Sequence, residues 1–213
     1  NQIVSNALQR IPTYAFLTVY PQLVSRICHP EERVFETLSN IIMKVLFLHP
    51  NQAIWMLIAV KNSSVEFRKN RCKVIMDKAI KQQPDLKKFI NDSSELAEKL
   101  VQLGNLNVET GVAQLSLANC FKPLKRLVES KDFSRILIPS QFQITLSLPS
   151  NDQSNSSNQN NDPYQAFRTH NPYPLDLVYI NCFEDNVSVM NSLQKPKKVT
   201  IRGTDGKLYA FLC

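Results

Sequence analysis

The chain has 213 residues, of which 43% are hydrophobic, enough to bury the core of one large domain or two smaller ones. No run approaches the roughly 18 consecutive apolar residues of a membrane span, and the first residues lack the basic-then-apolar pattern of a signal peptide. A net charge of +7 permits contact with phosphate or nucleic acid without requiring it.

The first half of the chain has the apolar spacing of helices. Apolar residues recur on one side of the segment 34–48, and Pro50 then ends that helix and starts the next. We predict further helices in four segments: 11–27 (kinked by proline), 65–80, 86–103 and 116–128. Helices of similar length joined by short turns indicate a helical-repeat array over 1–131, with an ordinary helical bundle as the alternative.

Short strands replace helices after residue 132. Runs of β-branched and apolar residues predict strands in six segments: 133–139, 143–148, 177–180, 187–190, 199–201 and 208–212. Thr204, Asp205 and Gly206 supply what a tight hairpin turn requires, with Gly206 free to take a positive φ. The predicted fold class is therefore α+β, a helical-repeat segment followed by a partial antiparallel sheet.

The segment 132–176 is predicted to connect the helical part to the sheet at 177–213. Its Asn-rich portion, 150–163, has no apolar residue between 151 and 162. Such a segment cannot offset the entropy of ordering, so we predict a disordered loop there.

The cysteines and histidines do not form recognisable sites. The five cysteines include no C-x-x-C pair, and the three histidines lack metal-ligand spacing. We therefore predict no disulfide framework, no metal site and no catalytic histidine.

The segment 192–198 is a basic connection between two predicted antiparallel strands. A loop in that position can cover the phosphates of a nucleotide, with the hydroxyl of Ser192 and backbone amides contacting phosphate oxygens. The ammonium groups of Lys195, Lys197 and Lys198 would lower the cost of bringing negative charge close. Pro196 fixes φ where such loops normally use glycine, so the segment matches neither G-x-G-x-x-G nor Walker A. On spacing alone, a solvated basic turn is the alternative.

Four segments together resemble a known family. Residues 192–213, Ser-Leu-Gln-Lys-Pro-Lys-Lys-Val-Thr-Ile-Arg-Gly-Thr-Asp-Gly-Lys-Leu-Tyr-Ala-Phe-Leu-Cys, closely resemble the start of the kinase domain in phosphatidylinositol 3-kinase-related protein kinases. Upstream, three segments are similar to the closing helices of that family's FAT region, in the same order and at matching intervals: Gln-Leu-Val-Ser-Arg-Ile-Cys-His (22–29), His-Pro-Asn-Gln-Ala-Ile-Trp-Met (49–56) and Asn-Arg-Cys-Lys (70–73). The resemblance implies the end of a FAT-type α-solenoid followed by the truncated start of a kinase N-lobe.

The resemblance also implies a reaction for the parent protein, transfer of the γ-phosphoryl group of ATP to Ser or Thr with Mg²⁺ or Mn²⁺. Ser192, Lys195 and Pro196 would lie over ATP, in the place of the glycine-rich loop. No catalytic residue or metal ligand is implied in this chain, because the family's phosphate-pairing lysine should follow Cys213 directly and the catalytic Asp and Asn lie farther on. We therefore expect the isolated chain to be inactive.

Partners and location follow from the same resemblance. The family's checkpoint branch, which responds to DNA damage and replication stress, implies protein substrates with Gln after the phosphorylated Ser or Thr, an interacting regulatory subunit and a nuclear location. DNA contact would be indirect through partners, with no membrane contact. The alternative is a noncatalytic helical scaffold of the pseudokinase type; a lipid kinase is disfavoured because the helical segments match the protein-kinase branch.

Overall fold

The computed structural model describes residues 6, 8, 10–140, 146–149, 169–173 and 175–213. The chain divides into two compact units, one formed by Asn1–Lys78 with Thr145–Asp176 and the other by Ala79–Ile144 with Leu177–Cys213. Helices precede all but one strand of an antiparallel sheet along the chain, in agreement with the predicted α+β class. The division of the chain into a helical segment (1–131), a connecting segment (132–176) and the start of the lobe (177–213) stays a prediction.

The helices before residue 83 follow the predicted pattern closely. They are a 3-10 helix (Thr13–Val19), α1 (Tyr20–Ser25), α2 (Glu32–Leu48), α3 (Pro50–Lys61) and α4 (Glu66–Gln82). Pro21 lies in the first turn of α1, where its missing N–H has no intrahelical partner to lose, so the predicted kinked helix is two helices. Pro50 starts α3 as predicted. No helix in the described part of the chain is long and apolar enough to cross a membrane.

Helix α2 buries most of the apolar stripe seen in the sequence, although Val34 and Leu48 at its two ends are exposed. Phe35, Leu38, Ile42 and Val45 are all buried on one side of the helix. Arg71, on α4, lies with its guanidinium carbon 3.8 Å from the centre of the Phe35 ring. The same guanidinium makes two hydrogen bonds to Glu32, of 3.0 and 2.7 Å, so α2 and α4 are joined by a bidentate ion pair that also stacks on an aromatic ring.

The second unit combines helices and the sheet. Its elements are α5 (Leu86–Gly104), β1 (Gln114–Ser116), α6 (Leu117–Cys120), α7 (Lys122–Val128), β2 (Ile180–Phe183), β3 (Asn186–Val189), β4 (Lys197–Gly203) and β5 (Leu208–Leu212). Helix α5 is amphipathic and buries a stripe that includes Ile90, Leu96, Leu100 and Leu103.

Strand β4 is the centre of the antiparallel sheet. One edge of β4 pairs with β5, and the other pairs with β3 and then β2. Because β2 and β3 pair with the same edge of β4 in the same direction, they act as one long strand interrupted at residues 184 and 185. Strand β1 pairs with the far edge of β3. The connection between β3 and β4 is therefore the loop of a long hairpin.

The interruption between β2 and β3 provides a cap for α6. The backbone carbonyl of Asp185 accepts a hydrogen bond from the amide of Leu117 at 2.7 Å. The Asp185 carboxylate accepts another from the amide of Ala118, also at 2.7 Å. These are N-terminal helix amides that lack intrahelical partners. The hydrogen bond from the Ala118 amide, together with one from the Ser116 side chain, lowers the pKa of the Asp185 carboxyl below its ordinary value.

The hairpin turn between β4 and β5 is closely packed around Gly203. A Cβ added there would lie 2.5 Å from Cγ1 of Val178, 2.6 Å from Oδ1 of Asp205 and 2.9 Å from Cε2 of Tyr209. The Asp205 carboxylate accepts hydrogen bonds from the Lys207 amide and the Tyr209 hydroxyl. Gly206 has a φ of +78°, as its predicted role in the turn requires.

Besides the kinked helix, several predicted elements differ from those observed. The strand predicted at 177–180 shares only Ile180 with β2. The helix predicted at 116–128 is the end of β1 and two short helices, because Phe121 takes a non-helical conformation just before the first turn of α7. The strand predicted at 133–139 is an isolated bridge between Leu137 and Tyr179. In the strand predicted at 143–148, residues 146–148 have no regular structure and the others lie outside the described residues, as does the whole loop predicted at 150–163.

Candidate functional site

The candidate site is the hairpin loop 191–196 between β3 and β4. The Met190 amide donates to the Pro196 carbonyl at 2.9 Å, which closes the base of the loop. Inside it, the Lys195 amide donates to the Ser192 carbonyl at 3.1 Å. The three predicted site residues, Ser192, Lys195 and Pro196, therefore lie together in one tight connection.

The tip of the loop is open to solvent. Leu193 is 95% exposed, and Ser192 and Gln194 are also exposed. The backbone amides of Leu193 and Gln194 make no hydrogen bond to any residue that the structure describes. Two exposed N–H groups beside a serine hydroxyl are the donor set expected for contact with phosphate oxygens.

Lys195 has a strained backbone and a bonded side chain. Its φ is +44°, a left-handed conformation that costs a residue other than glycine about 1–2 kcal/mol. Its ammonium group donates to the Val108 carbonyl at 2.8 Å. The side chain therefore holds the loop against the chain segment that follows α5.

Lys197, the first residue of β4, is buried with only 2% of its surface exposed. Its ammonium group donates to the carbonyls of Gly104 and Leu106, at 2.7 Å each. Gly104 ends α5, where carbonyl groups have no intrahelical partner and the helix dipole favours a positive charge. Lys197 therefore caps the C-terminus of α5 from the sheet.

The alternation of residues along β4 indicates that the side chain of Lys197 is buried. Side chains alternate between the two faces of a strand, which puts Lys197 in phase with Val199, Ile201 and Gly203. All four are buried, whereas Lys198 is exposed. The sequence predicted that Lys197 places its charge near phosphate. Its role as a cap was not predicted, because its partners are main-chain carbonyls 91 and 93 residues away.

Cys213 packs beside this cap. Its main chain forms a pair of hydrogen bonds with Lys197, of 3.0 and 2.8 Å. Burial raises the pKa of its thiol to about 11, although the charge of Lys197 opposes the shift. The thiol is consequently protonated at neutral pH and suits an apolar packing role.

A surface cavity of about 500 Å³ lies between the loop and the end of α5. It is lined by residues 104–108 and by Leu193, Gln194, Lys195 and Lys197. Across the described part of the chain, no group of three or more His, Cys, Asp or Glu residues could hold a metal ion. The nucleotide contacts predicted for Ser192, Lys195 and Pro196 stay a prediction.

Comparisons with known proteins agree with the resemblance seen in the sequence. A family model described as serine/threonine-protein kinase ATR-like, HEAT repeats, matches residues 1–97. The serine/threonine-protein kinase ATR of Drosophila melanogaster is 36% identical over 212 residues, and protein kinase rad3 of Schizosaccharomyces pombe is 32% identical over 219 residues; each alignment covers 100% of this chain. The chain belongs to the ATR-like kinase family. It spans 8% of the length of each of these two relatives.

Solved structures support the same fold. The open conformation of CtTel1 matches with a TM-score of 0.71, and the FAT and kinase domain of CtTel1 matches with 0.69, each at 16% identity. These matches cover 99% of this chain and 7% and 13% of the respective CtTel1 chains. The predicted fold, a FAT-type helical segment followed by part of a kinase-lobe sheet, is therefore confirmed for this ATR-like chain.

Proposed function

We propose that this chain forms the junction between the helical region and the kinase N-lobe of an ATR-type serine/threonine protein kinase. The parent protein would transfer the γ-phosphoryl group of ATP to Ser or Thr residues that precede Gln. It would act in the nucleus, in checkpoint signalling after DNA damage and replication stress. The main support is the alignment of the whole chain with the ATR and rad3 kinases.

The loop 191–196 is proposed to cover the phosphates of ATP. The exposed Ser192 hydroxyl and the unbonded amides of Leu193 and Gln194 supply donors at the tip, and Pro196 fixes φ at the base. These residues suit a triphosphate, whose oxygens accept several hydrogen bonds at once. ATP would bring Mg²⁺ or Mn²⁺, and the ligands for the ion and the catalytic groups would come from other parts of the parent kinase.

The proposed partners follow the same assignment. They are protein substrates with Ser-Gln or Thr-Gln sites and an ATR-interacting regulatory subunit, with DNA reached only through partners. The helical part would hold the kinase lobe, so that a partner bound to the helices can alter activity through that attachment.

The assignment is tested by replacing Pro196 with glycine in the natural full-length protein. Pro196→Gly should raise the KM for ATP about 3- to 10-fold, because the freed backbone must be ordered again when ATP binds. The kcat should change less, since the reacting groups lie elsewhere. The measurement is steady-state phosphorylation of a Ser-Gln peptide, with Pro84→Gly as a control outside the loop. An unchanged KM for ATP would exclude the proposed loop contact.

A noncatalytic scaffold is the second candidate. The observation that favours it is that the ammonium groups of Lys195 and Lys197 are bonded to backbone carbonyls. In a scaffold, the basic loop would serve only to join the sheet to α5. Absence of both ATP binding and Ser/Thr phosphorylation by the full-length protein would favour this candidate.

A further inference from the structure

A buried lysine requires partners for its charge. Moving an ammonium group out of water is costly unless hydrogen bonds replace its hydration. Lys197 is 2% exposed, and both of its bonds are charge-assisted and 2.7 Å long. Its position is therefore set by the two carbonyls that it binds, those of Gly104 and Leu106.

Those carbonyls are oriented by the end of α5. The amide of Leu106 donates to the Leu103 carbonyl, and that of Asn105 to the Val101 carbonyl, so these two hydrogen bonds close a turn at the end of the helix. This turn presents the Gly104 and Leu106 carbonyls to one ammonium group. A change in the last turn of α5 would consequently move the acceptors that hold Lys197.

The loop is held at a second point by Lys195. Its ammonium binds the Val108 carbonyl, two residues beyond Leu106. The left-handed backbone of Lys195 is unfavourable by itself, so the bond to Val108 helps to keep the loop in this conformation. The two lysines flank Pro196, whose ring restricts the connection between them.

We propose that Lys195 and Lys197 are positioning residues that clamp the loop 191–196 onto the end of α5, so that the helix sets the loop conformation. The clamp joins residues 104–108 to the loop and to the start of β4 through three hydrogen bonds. Its consequence for ATP rests on the proposed function. A partner that shifts the end of α5 would thereby change the fit of the loop over the nucleotide.

The clamp is tested by hydrogen exchange in the natural full-length protein without nucleotide. The variants are Lys197→Met and the milder Lys195→Met. The control is Lys87→Met, which changes an exposed lysine of α5 whose side chain makes no hydrogen bond in the described structure. The informative amides are those of Asn105, Leu106, Met190 and Lys195, which are hydrogen-bonded on both sides of the clamp.

We expect exchange at these amides to rise about tenfold or more in Lys197→Met and less in Lys195→Met, with no change in the control. The proposal would be overturned if, in both lysine variants, either the two amides at the end of α5 or the two amides of the loop exchanged at wild-type rates. If Lys197→Met does not fold, Lys195→Met decides by the same comparison.

Steady-state kinetics distinguish a lysine that positions the loop from one that only stabilises the fold. A lysine that only stabilises the fold lowers the amount of active enzyme and leaves the KM for ATP unchanged, whereas loss of positioning raises the KM for ATP. We expect Lys197→Met to raise the KM for ATP several-fold, with the KM for a Ser-Gln peptide unchanged; a wild-type KM for ATP would overturn positioning. If the wild-type protein shows no kinase activity, the proposed function fails, and exchange alone still decides the clamp.

Discussion

Gly203→Ala should destabilise the β4–β5 hairpin through steric overlap. The added methyl group would lie less than 3 Å from three side-chain atoms, and one of them belongs to the buried side chain of Val178. Overpacking of this kind costs about 1–3 kcal/mol. If Asp205 moves away and loses one of its hydrogen bonds to Lys207 or Tyr209, about 1 kcal/mol is added. The expected loss of local stability is about 2–4 kcal/mol.

Native-state hydrogen exchange at the β4 and β5 amides measures this loss in the full-length protein. Since each 1.4 kcal/mol corresponds to a factor of ten, exchange through hairpin opening should accelerate about 30- to 700-fold. Gly206→Ala is the matched control, because that glycine has a φ of +78° but no atom within 4 Å of an added Cβ. Its cost should be only the conformational term of about 1–2 kcal/mol.

A double-mutant cycle identifies the cause. Val178→Ala removes the methyl carbon nearest to the new Cβ, so it should recover about 1 kcal/mol in the Gly203→Ala background. No such recovery is expected with Gly206→Ala. The steric explanation would be refuted if Gly203→Ala cost no more than Gly206→Ala, or if its cost were independent of residue 178.

Two further predictions concern Asp185 and Arg71. Because the folded-state pKa of Asp185 lies below the ordinary 3.8, its contribution to stability is full above that value and is lost as the pH falls through the lowered pKa. Asp185→Asn should therefore reduce the loss of stability between pH 5 and pH 2; equal acid-unfolding midpoints for both proteins would contradict the capping role. Arg71→Lys should increase hydrogen exchange in α2 and α4 more than Glu32→Gln does, because lysine loses the stacking on Phe35 as well as the bidentate pair. Equal exchange in the two variants would show that the ring contributes nothing.

Local sequence patterns predicted the elements that depend on local interactions. Helix α2 followed from its apolar stripe, α3 from Pro50, and the β4–β5 turn from Gly206. These features arise from periodicity and backbone restriction within a few residues. The same information gave the α+β class and the order of helices and sheet.

Elements that depend on distant partners were not predictable in this way. Strand β1 exists because Leu115 pairs with Val187, 72 positions farther along the chain; the sequence predicted no strand there, and its last residue, Ser116, was assigned to a helix. Among the described residues, Leu137 forms an isolated bridge with Tyr179 and no longer strand, although its neighbours have strand-like composition. In the candidate site, the positions of Ser192, Lys195 and Pro196 in one loop followed from the sequence, whereas the carbonyl partners of the lysines required the folded chain.

Only one partner in the cap on α5 depends on the identity of its side chain. Lys197 contributes a side chain, but Gly104 and Leu106 contribute only peptide oxygens, which nearly any amino acid would supply equally well. Substitutions at 104 and 106 can therefore accumulate without a compensating change at 197. A search for correlated substitutions would find no pairing between these positions, even though the lysine itself would tolerate little replacement.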